Sequence, residues 1–272
     1  MKKYSVCMSV YKNDNPSNFT DAIMSVYKQT LPPNEIVLVI DGPIPQMLKE
    51  TISKLERQIS IMRVITLPQN MGHAIARQTG LSAAKNELCA VMDADDLSVP
   101  NRFEKQLQVF EAHPEATVVG GLINEFINEP HHVVGTRVVP EKDSDIKEYL
   151  KSRCPMNLVT VMLKKSDVLK VGGYQDWYCE EDYYLWIRLA LGGYKFYNIQ
   201  ENLVNVRVGE EMYQRRGGKK YFDSEARLQK YMLDHKLISW SKYAYNVTIR
   251  WAVQVAMPNW LRGWVFRTFA RN

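Results

Sequence analysis

The stretch VMDADDLSVP, residues 91–100, decides how the first half of the chain is interpreted. It places three carboxylates, Asp93, Asp95 and Asp96, directly after an apolar run and just before a proline that suits the first turn of a helix. A continuous apolar run of this length is typical of a buried strand in a parallel sheet. The like charges crowded at its end indicate that a positive group is expected there.

Strand-like runs and helical patterns alternate around this stretch. Strands are predicted at KKYSVCMSVY, EIVLVID, MRVITL and LCAVMD, and helices from Asn18, from about Pro45 to Gln58 and from about Gly72 to Ala84. This β-α-β-α order predicts an α/β fold with a Rossmann-like, mostly parallel sheet flanked by helices. Because such sheets bind ligands at the carboxyl ends of their strands, we expect the loops after these four strands to face one crevice.

The second half of the chain is less regular. Strands are predicted at TVVGGLINEF, HHVVGTRVV, LVTVMLKK, FYNI and LVNVRV, and a helix at EEDYYLWIRLALGG. No internal repeat or linker divides the sequence. We therefore predict one domain over residues 1–218, with halves of about 1–100 and 101–218, and a helical, basic, amphipathic extension over residues 219–272.

Composition is that of a folded protein, with 272 residues of which 46% are hydrophobic and 24% charged. The four cysteines form no C-x-x-C pair and the five histidines no H-E-x-x-H pattern, which argues against a zinc site. The opening MKKYSVCMSVYKND is too short and polar for a signal peptide or spanning helix, so a cytoplasmic location is expected.

The net charge of +5 is unevenly distributed. From Lys219 onward there are ten basic and three acidic residues, which leaves the first 218 residues near −2. In the tail the basic residues alternate with large apolar ones, and we expect no nucleic-acid partner.

The D-x-D spacing of Asp93 and Asp95 puts both side chains on one side of an extended segment. Hard divalent cations such as Mg²⁺ are commonly held by one or two carboxylates together with substrate phosphates. An Asp-rich turn that caps a helix or faces water is the alternative. The position at a strand end favours the metal.

A second acidic cluster, WYCEEDYYLW, contains Glu180, Glu181 and Asp182 at the start of a predicted helix, where the helix dipole stabilises acids. The aromatic residues around it are Trp177, Tyr178, Tyr183 and Trp186. Aromatic rings beside carboxylates are typical of sugar-binding surfaces. A carboxylate in this setting can also take a proton from a hydroxyl nucleophile.

Two further motifs are weaker. NMGHAIARQTG, residues 70–80, is not a P-loop, but it puts Arg77 near a helix start that suits phosphate. VRVGEEMYQRRGGKKY is either a solvated charge run or a basic loop that closes over a pyrophosphate group.

Taken in order, SVYKND, VLVIDGP, N-x-G-x-x-x-A-R-x-x-G, DADDLSVPNRFEKQ and GGY…EDYYLWIRL resemble the family 2 glycosyltransferases of the GT-A fold, over about residues 1–220. The chain looks most similar to bacterial enzymes that build O-antigen or exopolysaccharide repeat units. Gln78 and Asn86 depart from the residues frequent in that family.

The resemblance implies an inverting, Mn²⁺- or Mg²⁺-dependent transfer of glucose or galactose from a UDP-sugar to a sugar on undecaprenyl diphosphate, with a β linkage. Residues 1–100 would bind the donor and 101–218 the acceptor. The implied donor contacts are Ser9, Val10, Tyr11, Asp41, Asn70, Gly72, Arg77, Asp93, Ala94, Arg207 and Arg215. Asp95 and Asp93 would hold the metal, Asp182 would be the catalytic base, and Glu181 and Trp177 would contact the acceptor.

The tail, YNVTIRWAVQVAMPNWLRGWVFRTFARN, interleaves arginines with tryptophan and phenylalanine, and no apolar stretch reaches the roughly 18 residues of a spanning helix. Such a segment is typical of a helix that lies on an anionic membrane surface. We therefore expect residues 243–272 to bind the inner face of the bacterial cytoplasmic membrane. A helix packed on the domain and a homodimer contact are the alternatives.

Two other functions compete. A nucleotidyltransferase that makes a nucleotide-sugar would share the sheet and metal site, but SVYKNDNPSN lacks the Gly-rich loop it needs. A noncatalytic nucleotide-sugar-binding module would not need the cluster around Asp182.

Overall fold

The computed structural model describes residues 2–209 and 218–256. Its strands are β1 (Tyr4–Val10), β2 (Glu35–Ile40), β3 (Met62–Thr66), β4 (Leu88–Met92), β5 (Leu97–Ser98), β6 (Ala116–Phe126), β7 (Val133–Arg137), β8 (Met162–Lys164) and β9 (Lys195–Arg207). Its helices are α1 (Pro16–Tyr27), α2 (Gln46–Gln58), α3 (His73–Ala83), α4 (Arg102–Ala112), α5 (Asp143–Leu150), α6 (Lys165–Lys170), α7 (Glu181–Leu191), α8 (Lys219–Asp234) and α9 (Trp240–Trp251).

The strands form one sheet in the order β3-β2-β1-β4-β8-β6-β9-β5, with β7 paired to β6. Strands β1 to β4 are mutually parallel, which confirms the predicted α/β class and puts their carboxyl ends at one edge. Every residue of β2 is buried, as expected for a strand covered on both faces.

The second half of the sheet is mixed rather than parallel. β8 runs antiparallel to both β4 and β6, and β5 is antiparallel to β9, whereas β6 and β9 are parallel. The segments FYNI and LVNVRV form the single strand β9, because a shift of register between Gly121 and Ile123 of β6 absorbs the polar break between them. Asn202 in that break accepts a hydrogen bond from the Asn124 amide.

The predicted strand LVTVMLKK is mostly not a strand. Residues 158–160 form a 3₁₀ turn, and only Met162–Lys164 pair in the sheet. Side chains of α4 hydrogen-bond to the backbone of this segment. Gln106 donates to the carbonyl of Thr160, and Arg102 donates to that of Val161. The 3₁₀ turn ends at this point, since the Val161 carbonyl also accepts from the Val91 amide of β4 at 2.8 Å and β8 begins at Met162.

Helix α1 begins earlier than its sequence pattern predicts. Asn15, not Asn18, is the N-cap, and its side chain accepts hydrogen bonds from the amides of Ser17 and Asn18. Pro16 occupies the first turn, where its missing N–H costs nothing.

Two apolar cores cover the two faces of the sheet. One joins the sheet to α1, α2 and α4, and the other joins it to α3, α5 and α7. Leu228 and Met232 of α8 belong to the second core, so the described part of the predicted extension is helical and packs on the rest of the chain. No helix in residues 2–209 and 218–256 has the length and apolar character needed to cross a membrane.

Gly42, directly after β2, brings two loops into contact at the edge where the four parallel strands end. It has a φ of 85°, and a Cβ at this position would lie 2.4 Å from the Asn70 amide nitrogen. Gly72 has a similar φ of 87°, but a Cβ there would meet no atom within 4 Å. The two glycines therefore share a positive φ and differ in the space available to a Cβ.

We predict that Gly42→Ala lowers the free energy of unfolding by about 3 kcal/mol, from left-handed strain plus a backbone clash. Gly72→Ala, which adds only the strain, should cost about 1 kcal/mol. Urea denaturation of both variants measures the difference. Equal losses would mean that the contact between the loops is not tight.

Candidate active site

The carboxylate of Asp41, at the end of β2, organises the turn before α3. It accepts hydrogen bonds from the amide of Met71 at 2.6 Å, the amide of Gly72 at 3.0 Å and the side chain of Asn70 at 3.0 Å. These bonds join the loops after β2 and β3. The predicted donor residues Asp41, Asn70 and Gly72 are thus one connected unit, and their contact with a nucleotide stays a prediction.

The loop after β1 lies next to this unit. Val10 is buried, so its side chain belongs to the core and only its backbone can face a ligand. The Tyr11 ring lies edge-on to His73, with 6.3 Å between centroids. The carboxylate of Asp14 accepts from the Tyr11 amide at 2.8 Å and fixes the loop.

Three acids follow β4, and each has different surroundings. Asp93 has a side chain 34% exposed, Asp95 is exposed, and Asp96 is buried with its carboxylate accepting the Arg207 amide at 2.8 Å. The Arg207 guanidinium donates to the Asp95 carbonyl at 3.3 Å. Arg207 therefore reaches the acidic turn from the end of β9, and its contact with a donor stays a prediction.

Negative charge accumulates at this turn. Burial and then the charges of Asp95 and Asp93 raise the pKa of Asp14, the hydrogen bond from the Tyr11 amide lowers it, and the net pKa is about 6. Burial also raises the pKa of Asp96, again with help from Asp95 and Asp93. The two carboxylates open to solvent, Asp93 and Asp95, thus lie where a cation would relieve repulsion.

In the described part of the chain, no three His, Cys, Asp or Glu side chains converge as a complete metal site. Asp93 and Asp95 nevertheless supply the oxygen ligands that Mg²⁺ or Mn²⁺ accepts, and Mg²⁺ sites often take their remaining ligands from substrate phosphates and water. The residues present fit a metal that binds together with a diphosphate.

Arg77 of α3 joins the two acidic clusters. Its guanidinium donates to Asp93 at 3.2 Å and forms an ion pair with Glu181. Burial opposes its charge, but Asp93 and Glu181 outweigh that effect and raise its pKa. Asp93 and Glu181 are therefore held on one guanidinium, and Arg77 is also close enough to lower the pKa of Asp182.

Asp182 lies in the first turn of α7 with one oxygen accepting the Tyr183 amide at 2.7 Å. The Cys154 thiol is 3.9 Å from its other oxygen. Burial and then the charge of Glu181 raise the pKa of Asp182, and Arg77 lowers it. The net pKa is about 6. A carboxylate with this pKa is basic enough to accept a proton and still ionised at neutral pH.

Trp177, the predicted acceptor residue, is only 9% exposed. Its indole N–H donates to the Ser224 carbonyl of α8 at 3.2 Å, and the Arg227 guanidinium lies 3.7 Å from its ring centroid. The ring thus offers little surface to a sugar in this conformation, and an acceptor contact stays a prediction. Arg215 lies outside the described residues. Ser9 lies next to the end of β1, and Ala94 lies just after β4.

Several residues near the site are absent from the predicted site residues. Asp14 lies in the loop after β1, where the sequence predicts a ligand crevice, but no role is predicted for it. Gln78, noted only as a departure from the family, accepts the Tyr174 amide at 2.7 Å and so docks the Gly172–Gly173 turn on α3. Tyr174 belongs to the GGY motif, but its place beside Arg77, like that of Cys154 beside Asp182, depends on distant chain segments.

The model of glycosyl transferase family 2 matches residues 5–169, which is more than half of the chain and includes the acidic turn after β4. The chain belongs to glycosyl transferase family 2. The model of glycosyl transferase family group 2 also matches residues 88–271. The protein is therefore a glycosyltransferase, as the resemblance predicts.

Among similar proteins, an Escherichia coli enzyme named UDP-Gal:alpha-D-GlcNAc-diphosphoundecaprenol beta-1,3-galactosyltransferase is 33% identical over 99% of this chain and 97% of its own. An uncharacterised Haemophilus influenzae glycosyltransferase is 39% identical over 84% of each chain. The amylovoran biosynthesis glycosyltransferase AmsE of Erwinia amylovora is 33% identical over 85% of each chain.

Among solved structures, S. aureus TarS superimposes with a TM-score of 0.64 over 92% of this chain and 43% of its own, at 17% sequence identity. At this identity the likeness supports the fold alone. It agrees with the sheet described above.

We predict that Asp182→Asn stabilises the ligand-free protein at pH 7.5. Because the folded-state pKa of Asp182 is raised to about 6, its stabilising contribution is complete below the unfolded value near 3.8 and is lost as pH rises through 6. Removing the charge should add about 1–3 kcal/mol at pH 7.5 and almost nothing near pH 4. Thermal denaturation at both pH values measures this, and a variant less stable at pH 7.5 would contradict it.

Proposed function

We propose that the protein is an inverting, metal-dependent hexosyltransferase that moves galactose or glucose from a UDP-sugar to a hydroxyl of a lipid-diphosphate-linked sugar. The observation that supports this proposal is the Arg77 bridge, which joins Asp93, predicted for the donor side, to Glu181, predicted for the acceptor side. A binding module would need only the donor side. The proximity of a raised-pKa carboxylate, Asp182, favours catalysis.

In this mechanism the acceptor oxygen attacks the anomeric carbon as the bond to UDP breaks on the opposite face. One C–O bond forms and one breaks, the configuration inverts, and an α-linked donor gives a β product. Asp182 takes the acceptor proton, a contribution of roughly 10² to 10⁴ in rate. Glu181, which is adjacent in sequence and paired with Arg77, would contact the acceptor.

On the donor side, the loop of Ser9–Tyr11 and the Asp41-centred turn would hold the nucleotide, and Asp93 and Asp95 would hold Mn²⁺ or Mg²⁺. When bound, the metal stabilises negative charge on the diphosphate leaving group. Arg207 already lies at this turn and can contribute a further positive charge. Arg77 can share its guanidinium between Asp93 and a phosphate.

The sugar and acceptor are proposed from the Escherichia coli relative, whose name gives UDP-Gal and a GlcNAc-diphosphoundecaprenol. Its similarity extends over nearly the whole of both chains, so we favour galactose as the transferred sugar. The relative AmsE supports a role in polysaccharide biosynthesis.

A lipid-linked acceptor requires contact with a membrane, and α9 has a surface that suits one. Its exposed side chains include three large aromatic ones. Asn246 is buried and donates to the Lys151 carbonyl, whereas Trp240, Tyr245 and Trp251 are 72%, 61% and 51% exposed. We propose that this aromatic surface lies on an anionic membrane, with the basic tail residues adding attraction.

For catalysis, we predict that Asp182→Asn lowers kcat at least 100-fold and leaves UDP affinity within about twofold, because only proton removal is lost. Asp176→Asn removes an exposed acid from the same loop and should keep full activity. Transfer of radiolabelled galactose from UDP-galactose to an alkyl GlcNAc diphosphate measures kcat. Near wild-type turnover in Asp182→Asn would rule out Asp182 as the base.

For membrane binding, we predict that the double variant Tyr245→Ser, Trp251→Ser weakens cosedimentation with phosphatidylglycerol vesicles at least tenfold. Met47→Gln, which removes an equally exposed apolar side chain from α2, should not change it. Unchanged sedimentation of the double variant would contradict the proposed surface. If the double variant lost a dimer that the wild-type protein forms, and vesicle binding did not change, the partner of this surface would be a second copy of the chain.

A further inference from the structure

The loop of residues 177–180, here the catalytic loop, leads into Glu181 and Asp182 at the start of α7. The first two turns of α8 hold this loop in place. Tyr221 donates its hydroxyl to Glu180 at 2.7 Å, and Ser224 donates to the Tyr178 carbonyl at 2.6 Å. In return, the Trp177 indole donates to the Ser224 carbonyl at 3.2 Å. Three hydrogen bonds thus connect α8 with residues immediately before Glu181 and Asp182.

Ring contacts strengthen the same junction. Arg227 lies over the Trp177 ring at 3.7 Å, and Lys220 lies over the Tyr178 ring at 4.0 Å. Cation–π contacts of this kind contribute about 0.5–2 kcal/mol each. Trp177, Tyr178 and Glu180 therefore all contact α8.

Cys179 shows why the loop needs this support. Its φ is 57°, in the left-handed region, which costs a residue with a Cβ about 1–2 kcal/mol. Such conformations persist where the surroundings impose them, and they occur often at functional sites. The loop reverses at Cys179 and leads directly into α7, whose first turn carries Asp182.

We propose that α8 positions the catalytic loop, and that Tyr221 and Trp177 are positioning residues that act through Glu180 and the loop backbone on Asp182. This deepens the proposed function and rests on it for the role of Asp182. For Trp177 it replaces the acceptor contact predicted from the sequence. The segment after the sheet is then part of the catalytic machinery as well as a connection to α9.

The test uses two substitutions that each remove one hydrogen-bond donor, of which Tyr221→Phe keeps its ring and Trp177→Phe exchanges the indole for a smaller phenyl ring. Tyr221→Phe and Trp177→Phe should lower kcat about 10-fold while the KM values for UDP-galactose and for the alkyl GlcNAc diphosphate stay within twofold. Tyr27→Phe, a half-exposed tyrosine of α1, is the control and should behave as wild type. A raised acceptor KM with unchanged kcat in Trp177→Phe would overturn the proposal, because it would indicate direct acceptor contact.

Hydrogen exchange provides a measurement that needs no activity. In Tyr221→Phe, the amides of residues 178–184 should exchange at least fivefold faster, and those of α3 should not change. Unchanged exchange in the loop would also overturn the proposal. If the wild-type protein transfers no sugar from UDP-galactose or UDP-glucose, the proposed function fails, while the exchange result still decides whether α8 holds the loop.

Discussion

The active site depends on one buried cation between two groups of acids. Without Arg77, the acids after β4 and those at the start of α7 would repel each other across the cleft, and both would be drawn toward solvent. With it, Asp93 and Glu181 are held on one guanidinium. Removing one partner of such a pair typically costs 3–5 kcal/mol, because the other charge stays buried and unpaired. The cleft geometry is therefore set by electrostatics as much as by the sheet.

The acidic turn shows the same principle on the donor side. Asp96 is buried and bonded to the Arg207 backbone, which fixes the turn between β4 and β5. Asp93 and Asp95 are left facing solvent, and their charges help to raise the pKa of Asp14. A protein that only needed a helix cap would not collect four carboxylates around one strand end. The excess charge is consistent with a site completed by a cation and a diphosphate, and it accounts for the composition of VMDADDLSVP.

The parts of this arrangement that the sequence could predict are those set by local pattern. Strands β1 to β4 are apolar runs bounded by polar loops, and parallel pairing brings Asp41 and Asp93 to one edge. The parts that it could not predict depend on distant segments. Gln106 and Arg102 of α4 donate to the carbonyls of Thr160 and Val161 beside the 3₁₀ turn in LVTVMLKK, and the family-2 motifs give no sign of these contacts. The local sequence predicts that Trp177 is exposed and contacts a sugar, but α8, about 50 residues later in the chain, covers it.

The helices after β9 connect the loop before α7 with the exposed aromatic residues of α9. α8 contacts the catalytic loop on one side, and its Glu225 pairs with Arg250 of α9 at 3.2 Å. α9 buries Asn246 at this internal contact and exposes Trp240, Tyr245 and Trp251, while Tyr243 packs on the core. In water this distribution adds little stability, since exposing tryptophan and burying asparagine both cost free energy. Under the proposed membrane contact the exposed aromatic residues would meet lipid, and the helix pair would bring the loop before α7 close to a lipid-linked acceptor.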